Sequence, residues 1–227
     1  MHLRRVQFIF LMLLASCFLA NPQTLPAQNS ATAQAPQRKT STPYAGDLSI
    51  FETPGRDEQL HINQVMDILA IAPGKTVADI GAGSGWFTVR AAKRVTGTGI
   101  VYAVDINPKA IQYIEQRVKD GQLHNVKTIL SRPDDPELPP YSTDAVLLLK
   151  TYHEVSDPVA LLRNLRASLR PGARVGIIDR DGNGEDHGVE KQVVIREAGQ
   201  AGYRLLEEHA ELVKSDRVDY FLVFVAQ

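Results

Sequence analysis

The chain contains a single cysteine, Cys17, among its 227 residues. One thiol cannot form an internal disulfide, and it cannot supply a cysteine-based zinc site. We therefore expect a fold held together by its apolar core, and we predict no metal site.

The sequence also lacks an excess of charge of either sign. Lysine and arginine together number 25 and aspartate and glutamate 26, for a formal net charge of −1. No basic field favours nucleic acid or an anionic membrane surface, so we predict no nucleic-acid partner. A hydrophobic fraction of 44% and a charged fraction of 22% fit one ordinary globular domain with some additional sequence.

Long hydrophobic runs are scarce too, and the clearest lies near the N-terminus. Residues 6–14 are mostly apolar and follow the basic pair Arg4 and Arg5, but a membrane span needs about 20 residues. We predict that residues 1–21 are an export signal or anchor. The residues before Cys17 resemble the lipobox of bacterial lipoproteins, so cleavage, lipidation at Cys17 and an uncleaved anchor all remain open. Initiation at Met12 would instead leave the protein in the cytoplasm.

Residues 22–48 have few large apolar side chains and many Gln, Ala, Pro, Ser and Thr. Such a segment cannot bury enough surface to order itself, and we predict a flexible linker, a possible membrane tether. The folded domain is predicted to cover residues 49–227.

Strand and helix patterns alternate along that domain. Buried strands are predicted near residues 76–80, 99–105, 126–130, 145–149 and 174–178, with amphipathic helices between them. The last two strands, 203–208 and 218–225, are joined by too short a segment for a parallel crossover and should pair antiparallel. We therefore predict an α/β fold: a three-layer, doubly wound, mostly parallel seven-stranded sheet with an antiparallel C-terminal hairpin.

The first of these strands runs directly into the glycine-rich turn TVADIGAGSG. Glycines at alternating positions permit a tight turn whose backbone passes close to a ligand, and the following helix adds free N–H groups. A dinucleotide-binding turn would follow the pattern G-x-G-x-x-G, but its third glycine position is Trp86. An acid ahead of the turn, Asp79, suits a ligand that carries an ammonium group.

The DIGAGSG motif resembles the first motif of the class I S-adenosylmethionine-dependent methyltransferases. The segments RDEQ, VYAVDINP, LPPYSTDAVLLLKTYHEV and LRPGARVGIID are similar to the rest of that family in order and spacing, from Arg56 to the C-terminus. The resemblance implies S-adenosyl-L-methionine as the cofactor and a methyl-transfer reaction. Arg56 lies in an N-terminal element that would cover the cofactor, although it could equally be a surface charge.

The resemblance also implies the residues of the cofactor site. Asp105 ends the second strand, where an acid accepts hydrogen bonds from ribose hydroxyls. Ile106 would pack on the adenine, and either Asp134 or Asp135 would accept from its amino group. The residues expected to contact the cofactor are Asp79, Gly81, Ala82, Gly83, Gly85, Asp105, Ile106, Pro133, Asp134 and Lys150.

The loop after the fourth strand is expected to face the transferring methyl. His153 is a candidate general base, and Tyr152 could shape the pocket around the sulfonium through a cation–π contact. A loop whose histidine bonds only to backbone is the alternative. The short region from 120 to 145 favours a small-molecule acceptor.

Residues 179–190 match the calcium-loop pattern D-x-[DN]-x-[DN]-G-x5-E. A calcium-binding EF-hand needs a helix on each side, whereas a strand precedes this loop, so we predict a solvated loop instead. Two other functions compete with methyl transfer. They are a non-catalytic nucleoside-binding domain of the same fold, which an exported protein without a cofactor supply would favour, and a nicotinamide-dependent oxidoreductase.

Overall fold

The computed structural model describes residues 38–212 and 218–227. The predicted signal segment and most of the predicted linker lie outside the described residues. None of the helices in the described part is long and apolar enough to cross a membrane.

Within the described residues, seven strands and six α-helices build the domain. The strands are β1 (Thr76–Ile80), β2 (Ile100–Asp105), β3 (Val126–Leu130), β4 (Thr143–Leu149), β5 (Leu169–Asp179), β6 (Tyr203–Glu208) and β7 (Tyr220–Ala226). The helices are α1 (Arg56–Gln59), α2 (Ile62–Ile68), α3 (Trp86–Val95), α4 (Pro108–Asp120), α5 (Pro158–Arg166) and α6 (Lys191–Gln200). Short 3₁₀ helices cover Leu48–Glu52, Tyr152–Glu154 and Ala210–Leu212.

The strands form one sheet in the order β3-β2-β1-β4-β5-β7-β6. The pairs formed among β1 to β5 are all parallel, and β7 pairs antiparallel with both β5 and β6. The predicted fold class is therefore confirmed. The strand order reverses between β1 and β4, and ligands of open α/β sheets bind at such a switch point beyond the carboxyl ends of the strands.

The helices cover both faces of this sheet. Apolar residues of α2 and α3 pack on one face, where Ile114 of α4 also lies against Ala103 of β2. The α5 and α6 side chains pack on the other. All five residues of β1 are buried, as a central strand with helices on both sides requires.

Two helices begin with a capping side chain. Asn107 caps α4 by accepting from the Lys109 N–H, and Asp157 caps α5 by accepting from the Ala160 N–H. In both cases a proline occupies the first helical position. The helices α1 and α2 are separate, because His61 between them adopts a left-handed conformation (φ 46°).

Residues 38–48, assigned above to the linker, lie against the domain. The Arg38 guanidinium pairs with Glu197 of α6 at 3.1 Å, and the buried Ser41 hydroxyl donates to the Gly184 carbonyl. The linker was predicted from its lack of large apolar side chains, whereas polar contacts hold this segment against the domain. We call residues 38–56 the cover segment.

Candidate functional site

The turn after β1 has the geometry that its glycines predict. Gly81, Gly83 and Gly85 all have positive φ, at 70°, 54° and 72°. A Cβ on Gly81 would lie 2.2 Å from Thr151 Cγ2, so only glycine allows the loop after β4 to approach this closely. At Gly83 the nearest atom to such a Cβ is a Phe51 ring carbon at 3.8 Å. The turn thus lies between the β4 loop and the cover segment.

Asp105 supports this turn from the end of β2. Its carboxylate accepts the Gly83 N–H and the Asn107 N–H, both at 2.8 Å. Burial raises the pKa of the Asp105 carboxyl, and the backbone hydrogen bonds oppose that rise. Ile106 follows with 42% of its surface exposed, as a side chain available to an aromatic ring would be.

Asp79 lies beneath the turn rather than on its surface. It is 2% exposed and accepts a 2.6 Å hydrogen bond from the Thr88 hydroxyl. Burial raises the pKa of this carboxyl to about 7; the nearby Asp105 charge acts in the same direction, and Arg56 opposes it. The predicted contact with a ligand ammonium remains a prediction.

The cover segment lies over the turn. Phe51 approaches Gly83, and the Tyr44 ring packs edge-on against Phe51 at 5.3 Å between centroids. Arg56 is only 9% exposed, donates to the Phe51 carbonyl at 3.0 Å and lies 4.4 Å from the centroid of the Trp86 ring. The alternative that Arg56 is a surface charge is therefore wrong.

A second set of contacts fastens the cover segment to α4. Glu52 pairs with Arg117, and the Arg117 guanidinium also donates to the Ser84 carbonyl at 3.2 Å. Arg117 thus joins the cover segment directly to the glycine turn. This contact could not be predicted from the sequence, because neither Glu52 nor Arg117 belongs to a motif.

The loop after β4 separates two neighbouring residues that the sequence grouped as catalytic candidates. Tyr152 is 0% exposed and donates to Glu197 at 3.0 Å, with the Arg38 guanidinium 5.2 Å from its ring centroid. Burial raises the pKa of Tyr152 well above its ordinary value. In this conformation Tyr152 has no surface to offer a cofactor, which places it in the core rather than in the site. Lys150 begins the loop in a left-handed conformation, and its N–H donates to the Ile178 carbonyl at 2.8 Å.

The His153 side chain has a different partner, the carboxylate of Asp179. Its Nδ1 lies 2.8 and 3.0 Å from the two carboxylate oxygens of Asp179, and its backbone N–H donates to the same carboxylate. Its Nε2 lies 3.8 Å from a Glu154 carboxylate oxygen. The alternative of a histidine that bonds only to backbone does not describe this ring, which is fixed by a buried carboxylate.

Glu154 connects the histidine to the cover segment and the turn. Burial raises the pKa of the Glu154 carboxyl to about 7, while His153 and a hydrogen bond from the Tyr44 backbone N–H lower it. The charges of Asp105 and Asp179 also raise it, so four acidic groups, with Asp79, lie near one another at this edge of the sheet.

The loop after β3 contains the two acids predicted to contact the adenine, Asp134 and Asp135, and these differ in their bonding. The Asp135 carboxylate is bonded to Arg132 at 2.8 Å and to the Glu137 N–H at 2.8 Å. Asp134 and Pro133 are exposed, and the Asp134 carbonyl accepts from the Asn164 amide. Asp134 is therefore the better candidate for a ligand contact.

The calcium-loop pattern does not form a calcium loop. Its first residue, Asp179, ends β5 with no exposed surface and is bonded to His153. Asp181 accepts the Lys191 N–H instead of facing a central ion. Most of residues 181–190 are exposed, as predicted for a solvated loop, whereas the buried Asp179 orients an imidazole.

Comparisons with known proteins agree with this geometry. Residues 77–172, from β1 into β5, match a family model described as a methyltransferase domain. The demethylmenaquinone methyltransferase of Geobacillus sp. (strain WCH70) is 29% identical over 110 residues, 48% of this chain and 47% of that protein. The arsenite methyltransferase of Halobacterium salinarum is 29% identical over 136 residues, 60% of this chain and 35% of that protein. The chain spans about half or less of the length of these curated relatives.

A solved structure shows the same fold. The crystal structure of an S-adenosylmethionine-dependent methyltransferase from Aquifex aeolicus superimposes with a TM-score of 0.70 at 24% identity, over 79% of this chain and 98% of that one. Residues 77–172 are therefore similar to a methyltransferase domain, and the chain has the fold of that S-adenosylmethionine-dependent enzyme, which together support S-adenosylmethionine as the cofactor.

Proposed function

We propose that the protein transfers the methyl group of S-adenosylmethionine to a small-molecule acceptor. The observation that carries the proposal is the pairing of Asp105 with Gly83, which holds an acid against the glycine turn at the switch point of the sheet. This arrangement suits a nucleoside joined to an amino acid. The cofactor supplies the reactive methyl, so the protein's task is to position the two reactants and exclude water.

The residues present fit the parts of the cofactor. The backbone from Gly81 to Gly85 and the Asp79 carboxylate would hold the amino-acid end, and Asp105 the ribose. Ile106 and the loop at 132–134 would hold the adenine. The cover segment, through Phe51 and Arg56, would close over the amino-acid end and exclude water.

Demethylmenaquinone and arsenite, which name the two curated relatives, differ in size, charge and reacting atom. We place the acceptor beside His153 and Glu154, because these residues follow β4 next to the glycine turn and are the nearest groups able to exchange a proton.

Calorimetric titration with S-adenosylmethionine tests the cofactor assignment. We expect Gly83→Val to abolish binding, because the new side chain projects into the space between the turn and Phe51. Gly172→Val is the matched control. Gly172 also has positive φ (78°), and a Cβ added there would meet no atom within 4 Å, but it lies at the opposite edge of the sheet.

Two outcomes would contradict the assignment. One is unchanged affinity in Gly83→Val with the control equally unaffected; the other is tight binding of NADH in place of S-adenosylmethionine. Asp105→Ala provides a second variant, which we expect to lose binding because both the acid and its support of the turn are removed. Cofactor binding without turnover of any acceptor would favour the non-catalytic nucleoside-binding alternative.

We also propose that residues 1–21 direct export or anchor the domain at a membrane. Support comes from the sequence alone, in its basic start, its short apolar run and Cys17. Cell fractionation together with the N-terminal sequence of the mature protein tests this. A cytoplasmic protein that begins at Met1 or Met12 would overturn it.

A further inference from the structure

Two histidines and one glutamate converge beyond the carboxyl ends of β4 and β5. The ligating atoms of His153, Glu154 and His187 all lie within 4.8 Å of one another. The two imidazole rings meet edge to face at 5.7 Å between centroids. The distance of 3.8 Å between His153 Nε2 and the Glu154 carboxylate is too long for a hydrogen bond, so direct hydrogen bonding does not account for that pair.

The orientation of His153 is set by a buried carboxylate. Asp179 accepts from His153 Nδ1 at 2.8 Å and also accepts the backbone N–H groups of His153 and Arg180. With Nδ1 committed to Asp179, the lone pair of Nε2 points toward Glu154 and His187. A carboxylate behind the remote nitrogen of an imidazole is the usual support of a metal-bound histidine.

Ser41 joins the two segments that carry the imidazoles. Its backbone N–H donates to the His153 carbonyl at 3.1 Å, and its hydroxyl oxygen accepts the His187 N–H at 2.9 Å. The same hydroxyl donates to Gly184. The side chain of Ser41 is buried, so the cover segment fixes the separation of the two histidine backbones.

We propose that His153, Glu154 and His187 bind one divalent transition-metal ion of the zinc type. Two imidazole nitrogens and one carboxylate oxygen form the ligand set of open zinc sites, which keep a further position for water or substrate. Ligands about 2.1 Å from a tetrahedral ion lie about 3.4 Å apart, so the three side chains need to move together by about 1 Å or a little more. His187 is exposed on the loop after β5 and has the freedom to do so.

The role of this ion rests on the proposed function. An acceptor hydroxyl or thiol bound at the open position of the ion would lose its proton to solvent more readily. The acceptor heteroatom then forms a bond to the methyl carbon as the carbon–sulfur bond breaks, and the electron pair remains on the sulfur of S-adenosylhomocysteine. This assignment replaces the general-base role predicted for His153, and it departs from the expectation that the protein has no metal site.

Metal binding is tested on the full chain after removal of metals with a chelator. We expect one Co²⁺ ion to bind per chain and to give the visible absorption of a site with nitrogen ligands. Added Zn²⁺ should then displace the Co²⁺. His187→Gln, Glu154→Gln and His153→Gln should each weaken Zn²⁺ binding by at least about 100-fold, because each removes a ligand of the ion. Asp179→Asn should weaken it by about 10- to 100-fold.

His124→Gln is the matched control, since it removes an exposed imidazole from the turn before β3. Because His187 is exposed, its substitution leaves the core intact and keeps the test valid if the buried His153 variant fails to fold. Equal Zn²⁺ affinity in wild type, His187→Gln and His124→Gln would overturn the site.

The metal site and the cofactor assignment fail separately. Calorimetry with S-adenosylmethionine on the metal-free protein reports only on the glycine turn, whereas the Co²⁺ spectrum reports only on the histidines. Metal binding without cofactor binding would contradict the proposed function alone. Cofactor binding without any cobalt spectrum would contradict the metal site alone.

Discussion

Adjacent residues in the loop after β4 have different physical roles. Tyr152 has no exposed surface and donates to Glu197, whereas the His153 ring is held by Asp179 and directed toward Glu154 and His187. A loop has no fixed periodicity, so the sequence alone cannot tell which of two neighbouring side chains enters the core.

The substitution Tyr152→Phe separates these roles. We expect it to lower the free energy of unfolding by about 1 kcal/mol, because one buried hydrogen bond is lost while the ring still fills its space. Affinity for S-adenosylmethionine should not change. Urea unfolding and calorimetry measure the two quantities, and a loss of affinity at unchanged stability would return Tyr152 to the site.

The glycine turn was predictable residue by residue, because positive φ is costly for other residues and a short motif carries that constraint. The proposed metal ligands His153, Glu154 and His187 were not predictable as a group. His187 lies far along the chain from His153, and only the parallel pairing of β4 with β5 brings their loops together. The calcium-like spacing of acids around it reflected turn chemistry in the same loop.

At the scale of elements, the largest difference from the prediction lies in the first part of the cover segment, residues 38–48, which was assigned to a flexible linker. Its sequence is poor in large apolar side chains, yet Arg38, Ser41 and the Tyr44 backbone all bond to the domain. Amino-acid composition indicates how much apolar area a segment can bury, but it does not show whether a few polar residues will bond to the domain. The strands, which are defined by apolar patterns, were found near their predicted positions, although β5 begins earlier, at Leu169.

Truncation tests where the domain begins. A chain that starts at residue 49 loses the Arg38 partner of Glu197 and the three Ser41 hydrogen bonds, and we expect the free energy of unfolding to fall by about 2 kcal/mol. This corresponds to a melting temperature lower by roughly 4 to 8 °C for a domain of this size. A chain that starts at residue 38 is the control and should melt with the full-length protein. Equal melting of all three would restore the boundary at residue 49.

At the scale of the whole molecule, the acids near the cofactor turn oppose stability. Burial raises the pKa of Asp79 from 3.8 to about 7, so the folded state binds more protons than the unfolded state between these values. The free energy of unfolding therefore falls as pH rises from about 4 to about 7. A shift of this size corresponds to a few kcal/mol, on the order of 4.

Asp79→Asn removes this titration without changing the size of the side chain. We expect the variant to unfold at higher denaturant concentration than wild type at pH 8 and to lose that advantage near pH 4. Affinity for S-adenosylmethionine should be lost in the variant, and in wild type it should decline as pH falls below about 7, where Asp79 becomes neutral. Identical pH profiles of stability for the two proteins would show that Asp79 does not titrate in this range.

The cover segment and the glycine turn meet at Trp86, the only tryptophan in the chain. Its ring lies 4.4 Å from the Arg56 guanidinium on one element and 3.9 Å from the Arg90 guanidinium on another. Because indole emission responds to nearby cations and to solvent, the protein carries its own optical reporter. Lifting of residues 38–56 away from the sheet would change the colour and intensity of that emission in real time, with no label attached.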